Sequence, residues 1–453
     1  MAISIFDSEA TNIENNTVSS NYFGICAIES PCTYIRTNLI EKNTGSGISL
    51  WRFDNATVIN NVVSNNHGSG IEIDLNSNFS LISNQMINNG LCFFGYEFEL
   101  LFSTSTIINN TVNKKPLGFF KNVRNKEIID EYGQLIFFNC SDIKILNQQI
   151  ESVEDGIALY YSYNCTISNC SLNNINSNGL SLVFCSQIII SDNYFSNCSK
   201  GIFVIFCEIV NITTNEIFNC YNFGIHTIES KFMTIKYNSF DRNGCGIRCY
   251  FTFFLTISEN LIYNSTYSGI VINTSFWLTK VENSVTSKKY ELQFEPIEII
   301  NNTILLSVVG SMLYGCVDVV VKDNNILNSS LIGLLVENSF RTNISKNQLL
   351  YCETGIQLNF SSNSILIGNT FLYSRLYALS INDYSSNNVI SYNNFIDNNM
   401  NGDSQAFDAG TNNIWYDIIT LEGNYWIDWI GVGSYEIAGS SGSYDYYPFS
   451  EPV

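Results

Sequence analysis

Residues 179–201 read GLSLVFCSQIIISDNYFSNCSKG, from Gly179 to Gly201, and this stretch decides the fold. Leu180 and Leu182 alternate with Ser181 and Val183, the period-two pattern of a short strand. A second β-rich run follows through Ile188, Ile189 and Ile190, and a third through Tyr194 and Phe195 after Asn193. Polar turns separate the three runs. The unit then begins again at Gly201.

The same grammar extends in both directions. A Gly followed by an apolar residue recurs at Gly24, Gly47 and Gly70. It returns at Gly133, Gly156, Gly179, Gly201, Gly224, Gly246 and Gly269, then at Gly310, Gly333 and Gly355. Within each group the spacing is 22 or 23 residues. Fourteen positions after the Gly stands Asn: Asn38, Asn61, Asn84, Asn147, Asn215, Asn238, Asn260, Asn324, Asn347 and Asn369. Three short strands and three turns per repeat describe one coil of a parallel β-helix. The fold class read here is all-β: a right-handed, single-stranded parallel β-helix solenoid of roughly fifteen coils, about 4.8 Å apart.

The composition follows from the coil. There are 63 asparagines, against only 14 % charged residues and 5 prolines. An inward Asn can bond the backbone of the next coil and pair turn groups that would otherwise be buried alone. Apolar ladders such as Ile190, Ile212, Ile235, Ile257 and Ile344 are expected to fill the interior. Two insertions break the rhythm, at about 111–132 and 277–297. The domain reading is therefore a β-helix over 1–422 and a capping segment over 423–453.

The net charge of −20 argues against nucleic acid, which rewards Lys/Arg clusters. No stretch approaches 18 apolar residues, so no membrane span is expected. The N-terminus, Met1-Ala2-Ile3-Ser4-Ile5, shows no basic region, apolar core or cleavage site, so no signal peptide is read in this chain. Many of the 14 cysteines alternate with Ser, Thr and Asn at fixed repeat offsets, as at Ser162, Cys185 and Cys207. That pattern marks small stackable side chains. With only His67 and His226, no cluster resembles a metal site, and no metal or cofactor is expected.

Three groups of residues resemble the NosD-like right-handed β-helix proteins of the pectate-lyase-like superfamily. One is the Gly-Ile…Asn coil itself. Another is Asn110-Thr111-Val112-Asn113-Lys114-Lys115-Pro116-Leu117 with Gly133-Gln134-Leu135-Ile136, similar to the segment by which those proteins interrupt their repeats. The third is Gly423-Asn424-Tyr425-Trp426-Ile427-Asp428-Trp429, followed by Tyr435 and Asp445-Tyr446-Tyr447-Pro448, similar to their closing segment. Here Tyr425, Trp426, Trp429, Tyr446 and Tyr447 are expected to cover the open apolar end. The acidic stretch common in the family has shrunk to Ile430-Gly431-Val432-Gly433-Ser434, too poor in oxygen ligands for calcium.

The resemblance implies an extracellular or cell-surface location and points to the outer face of the Gly-strand sheet. Alternation turns positions two and four of that strand outward. Glu72 and Asp74, about 7 Å apart along the strand, lie beside Trp51 and form a candidate acid pair for glycoside hydrolysis. His226 and Arg248, with Tyr250 alongside, form a candidate base and carboxylate partner for a lyase. Trp51, Tyr160, Tyr250 and Asn273 are the candidate sugar contacts. No paired acids recur on neighbouring coils. The function read from the sequence is thus a monomeric, non-catalytic, secreted or cell-surface protein that binds a polysaccharide, cell-surface glycan or surface-layer component. A polysaccharide lyase or glycoside hydrolase is the alternative, and copper handling, as the NosD name implies, a weaker one.

Overall fold

The protein is a parallel β-solenoid of about 16 turns. The computed structural model describes residues 2–52, 54–74, 77–94, 104–274, 297–400, 402 and 404–453. These fall into two compact units, Met1–Cys207 and Glu208–Val453.

In the first unit the Gly strands Ile3–Phe6, Ile25–Ile28, Ile48–Trp51, Ile71–Asp74 and Leu91–Phe94 stack in parallel. A second stack runs from Asn12–Glu14 through Tyr34–Arg36, Asp54–Ile59 and Ser77–Ile82 to Thr106–Ile108. A third runs from Thr17–Ser19 through Leu39–Glu41, Val62–Ser64 and Gln85–Ile87 to Thr111–Val112. Every rung pairs like with like, so equivalent side chains form columns. Ile145, Ile167 and Ile190 make one such column, each fully buried. A buried Ile of this kind stabilises by ~2 kcal/mol relative to exposure.

The segment 111–132, read from the repeat as a loop, is largely strand. After Thr111–Val112 the chain reverses through a hairpin, and Lys115–Lys121 pairs antiparallel with it. The same strand pairs in parallel with Gln134–Phe138, and Arg124–Ile128 pairs with Ser141–Leu146, so coiling resumes at once. Apolar residues such as Phe119, Phe120 and Ile128 let this detour join the sheet. The second insertion, 277–297, lies outside the described residues except for Ile297, which opens the strand Ile297–Ile300.

The asparagine column does the work that its spacing suggests. In the second unit it runs Asn215, Asn238, Asn260, Asn302, Asn324, Asn347, Asn369, Asn393 and Asn424. Asn324 donates from Nδ2 to Ile299 O (2.8 Å), Lys322 O (3.0 Å) and Asn347 Oδ1 (2.9 Å), while its Oδ1 accepts from Asn302 N (2.9 Å). In the first unit, Asn38, Asn61, Asn84 and Asn110 are linked in the same way. One position departs from the sequence reading. Asn147 is exposed and takes the left-handed conformation (φ 56°), while its neighbour Gln148 fills the buried slot and donates to Asp130 O and Leu146 O. Leu135 pairs with Ile157, so Gln134 and not Gly133 holds the coil-opening position here.

The Gly that opens most coils is required by close approach. A Cβ on Gly179 would lie 2.7 Å from Gly201 O and 2.7 Å from the Phe195 ring. No larger residue fits there without moving backbone.

The second unit closes on an aromatic column. Tyr425–Trp426 forms the last rung against Asn394–Ile396. Phe371, Phe395, Trp426 and Tyr435 stack with centroids 5.0, 4.0 and 4.0 Å apart. Trp415, which the sequence reading did not assign to the cap, is fully buried beside Trp426 at 6.0 Å. Tyr446, by contrast, is 58 % exposed and packs outside against Tyr416. Asp445 ends the asparagine column: it accepts Asn424 N (2.7 Å) and Trp426 Nε1 (2.9 Å) through Oδ2, and Tyr447 N (3.0 Å) through Oδ1.

Candidate functional site

The acid pair on the first unit is placed as its register dictates, with a different environment. Glu72 stands on the rung between Ser49 and Cys92, and Asp74 between Trp51 and Phe94. Glu72 is only 9 % exposed. Its Oε2 accepts Ser46 Oγ at 2.5 Å and its Oε1 accepts the Trp51 indole N–H at 3.0 Å. Trp51 is thereby fixed by the carboxylate it was expected to assist. Burial raises the Asp74 carboxyl above its ordinary range, opposed by Arg52.

Two carboxylates that the sequence reading missed complete this neighbourhood. Glu154 is raised to about 7, first by burial and then by the charges of Asp155 and Glu72, against a hydrogen bond from Asn176. Asp155, 6 % exposed, accepts the Asn178 amide N–H (3.0 Å) and Nδ2 (2.8 Å) through Oδ1. The Cys92 thiol lies 3.9 Å from its Oδ2. A signal was present, since Asp155 directly precedes Gly156 where other coils carry Ser46, Ser69, Asn178 or Lys200. Burial raises the Asp155 carboxyl as well, against hydrogen bonds from Asn178. Asp155 and Glu72 are committed to internal donors, whereas Glu154 Oε2 is buried with no hydrogen-bond partner among the described residues.

Burial on this face is general in the first unit. Ser49, Ala158, Tyr160, Ser181, Val183 and Ile205, all at outward positions, are at most 5 % exposed. Tyr160 therefore offers no face to a ligand as it stands. Alternation decided the side of the sheet but not what covers it.

Gln134 closes the break between the two runs of Gly strands. Its Oε1 accepts Leu91 N (2.9 Å), and its Nε2 donates to Leu91 O (2.7 Å) and Asp155 O (2.8 Å). The side-chain amide thus acts as a one-residue strand, satisfying backbone groups on either side.

On the second unit most outward positions are half-buried instead, although His226 and Leu335 are buried. His226 and Arg248 are paired in register, with Tyr250 opposite Ile228. The His226 ring packs 4.6 Å from Phe223 and 6.0 Å from Tyr250. The Arg248 guanidinium lies 4.9 Å from the Phe223 ring and 4.5 Å from that of Tyr250, and donates from Nη2 to the Tyr250 hydroxyl. These contacts fix the tilt of Tyr250. From Tyr250 the column continues through Asn273, Tyr314, Glu337 and Asn359. Gln357 and Asn382 both donate to Asn359 Oδ1. The result is a row of phenol, amide and carboxylate groups, one per coil, with rungs about 4.8 Å apart.

Among the described residues no group of three or more His, Cys, Asp or Glu side chains could hold a metal ion. Thirteen of the cysteines are buried and only Cys32 is exposed. Burial pushes Cys165, Cys245 and Cys249 up to about 12, away from the thiolate form that binds soft metals. Cys185 N instead donates to Cys207 Sγ at 3.2 Å, as Cys140 N does to Ser162 Oγ. No helix of the described residues is long and apolar enough to cross a membrane.

Comparison with known proteins follows the geometry. A family model described as "Right handed beta helix region" matches residues 1–130 and 134–286, and one described as "Periplasmic copper-binding protein (NosD)" matches 285–431. The copper-binding description finds no matching donor set among the described residues. No curated protein matches the chain. Among solved structures it is similar to the catalytic unit of a GH87 α-1,3-glucanase from Streptomyces thermodiastaticus strain HF3-3, with 12 % identity, TM-score 0.38, and coverage of 76 % of this chain and 62 % of that one. The chain thus spans less than two thirds of that catalytic unit. It is also similar to the A-module of the Azotobacter vinelandii mannuronan C-5 epimerase AlgE6 (11 % identity, TM-score 0.37, 80 % and 90 % covered). A third is PfbA, a surface adhesin of Streptococcus pneumoniae (10 % identity, TM-score 0.34, 90 % and 92 % covered). With coil, asparagine column and family model in agreement over more than half its length, the chain belongs to the right-handed β-helix family.

Proposed function

We propose that the protein is a non-catalytic glycan-binding β-helix, acting outside the cytoplasm, whose contact surface is the outward row Tyr250, Asn273, Tyr314, Glu337 and Asn359. The observation that carries this reading is the chemistry of that row. Phenol, amide and carboxylate groups recur at one offset on successive rungs, half-exposed, with Tyr250 held by Arg248 and Asn359 by Gln357 and Asn382. A polymer of hydroxyl-bearing units suits a regular row of donors and acceptors, and aromatic rings add apolar contact for a sugar face.

The non-catalytic part rests on the acids. Glycoside hydrolysis uses two carboxyl groups flanking the bond. In this row Glu337 stands alone among the described residues. Glu72 is occupied by Ser46 and Trp51. Affinity electrophoresis through a panel of immobilised polysaccharides tests the proposal. Retardation by at least one polymer, lost on Tyr250→Ala and weakened on Asn273→Ala, is the expected result. Retention unchanged by both substitutions, or release of reducing ends or unsaturated products that stops on Glu72→Gln or His226→Ala, would overturn it.

A further inference from the structure

The turn that opens the Gly strand is sharply shortened at one coil. In two successive coils it spans five residues, 43–47 and 66–70, reading Asn-Thr-Gly-Ser-Gly and Asn-His-Gly-Ser-Gly. In the next coil it is only Asn89 and Gly90. The following strand is nevertheless in full register, Ile71 with Leu91 and Asp74 with Phe94. Three residues have been removed from the turn and none from the strand.

The gap so created is an open pocket of about 620 Å³, lined by Lys42, Asn43, Thr44, Asn65, Asn66, His67, Asn88 and Asn176. Its floor is tight. A Cβ on Gly90 would meet Gln134 Oε1 at 3.0 Å and Val153 Cβ at 3.1 Å. Its amide wall is pre-positioned: Asn88 donates from Nδ2 to Asn65 Oδ1 (2.9 Å) and from its backbone N–H to Asn113 Oδ1 (2.7 Å). On the far side Asn176 is held by a hydrogen bond to Glu154.

We propose that this notch binds the carboxylate-bearing sugar units of an acidic oligosaccharide, at a site separate from the row on the second unit. Among the described residues no Phe, Tyr or Trp lines it, and the proposal rests on its amides, hydroxyl and ammonium. Amides and a hydroxyl suit sugar hydroxyls. Lys42 supplies the cation for the carboxylate; its ammonium is 3.6 Å from Glu41 Oε1, and its side chain is 65 % exposed, so it is loosely held and able to swing. In a chain of net charge −20, a pocket carrying the Lys42 ammonium offers an anion local complementarity.

The test uses the full chain and calorimetric titration with trigalacturonate, with a neutral trisaccharide and inorganic phosphate as controls. Trigalacturonate is expected to bind and the two controls not. Lys42→Ala is expected to weaken binding ~5-fold or more, as loss of one charge-assisted contact does. Inserting Thr-Gly-Ser between Asn89 and Gly90 restores the five-residue turn, fills the notch and should abolish binding. Tyr250→Ala should leave it unchanged, which separates this site from the row proposed above. Unchanged affinity in both the filled and the Lys42→Ala variants would overturn the proposal. So would equal binding of the neutral trisaccharide or of phosphate. Should the insertion impair folding, Lys42→Ala and His67→Ala with unchanged affinity would suffice to refute it.

Discussion

Gln134→Ala is the sharpest test of how the coil survives its own interruption. The side chain is 1 % exposed and serves three backbone groups, Leu91 N–H, Leu91 C=O and Asp155 C=O. Truncation leaves all three buried without these partners. Each such orphan costs ~1–3 kcal/mol, and water entering the space left by the amide recovers part of that, so a loss of ~3–5 kcal/mol is expected. Urea unfolding is the assay, paired with hydrogen exchange at the Leu91 amide, because a solenoid can open locally before it unfolds. Gln134→Glu adds a sign check. A carboxylate there faces two carbonyl oxygens, so its folded pKa lies above its unfolded one. The stability lost to ionisation is therefore restored at pH 4 and lost again as the pH rises to 7. A loss below ~1 kcal/mol for Gln134→Ala, or a Gln134→Glu variant with no pH dependence beyond that of the parent, would refute the one-residue-strand account.

Two further outcomes follow from groups already described. Glu154 is raised to about 7 by burial, so its contribution to stability is present below about pH 4.5 and lost as the pH rises through 7. The first unit should weaken by up to ~3 kcal/mol over that range, and Glu154→Gln should flatten the profile measured by urea midpoints at stepped pH. Asp445→Ala removes the acceptor of Asn424 N, Trp426 Nε1 and Tyr447 N. It should cost ~3 kcal/mol and open the cap, read as a red shift of tryptophan emission from Trp415 and Trp426; an unshifted spectrum would show that the aromatic column closes the end without its carboxylate.

Much of this molecule is legible because its repeat length is nearly fixed. A period of 22 or 23 residues places Asn238 on Asn260 and Ile235 on Ile257 without any knowledge of the rest of the chain. Alternation within the Gly strand placed Glu72 beside Trp51, and His226 beside Arg248, as candidate neighbours. The period says nothing of partners that violate it. Leu91 and Gln134 are 43 residues apart across the detour, and Cys92 and Asp155 are 63 apart. The acid at Asp155 stood out only as a departure from Ser46, Ser69, Asn178 and Lys200 at the same offset, and its partner Cys92 could not be read from the period. The Asn147–Gln148 shift arises because Leu135 pairs with Ile157, so that Gln134 and not Gly133 holds the coil-opening position and Gln148 lies fourteen residues on.

By itself, then, the sequence determined the coil, its asparagine column, its stacked glycines and the identity of the closing segment. Those depend on interactions one repeat apart, which a linear pattern encodes directly. Only the tertiary structure decided which outward positions are reachable. It buried Ser49 and Tyr160 and tied Trp51 to Glu72, yet it left the Tyr250 column half-open. It also turned a three-residue shortening at Asn89–Gly90 into a pocket lined by side chains from residues 42 to 176. The physical reason is that stacking fixes the order of side chains along a face. Solvent access depends on what else the chain folds over or fails to cover, and that is set by distant segments whose contacts follow no period.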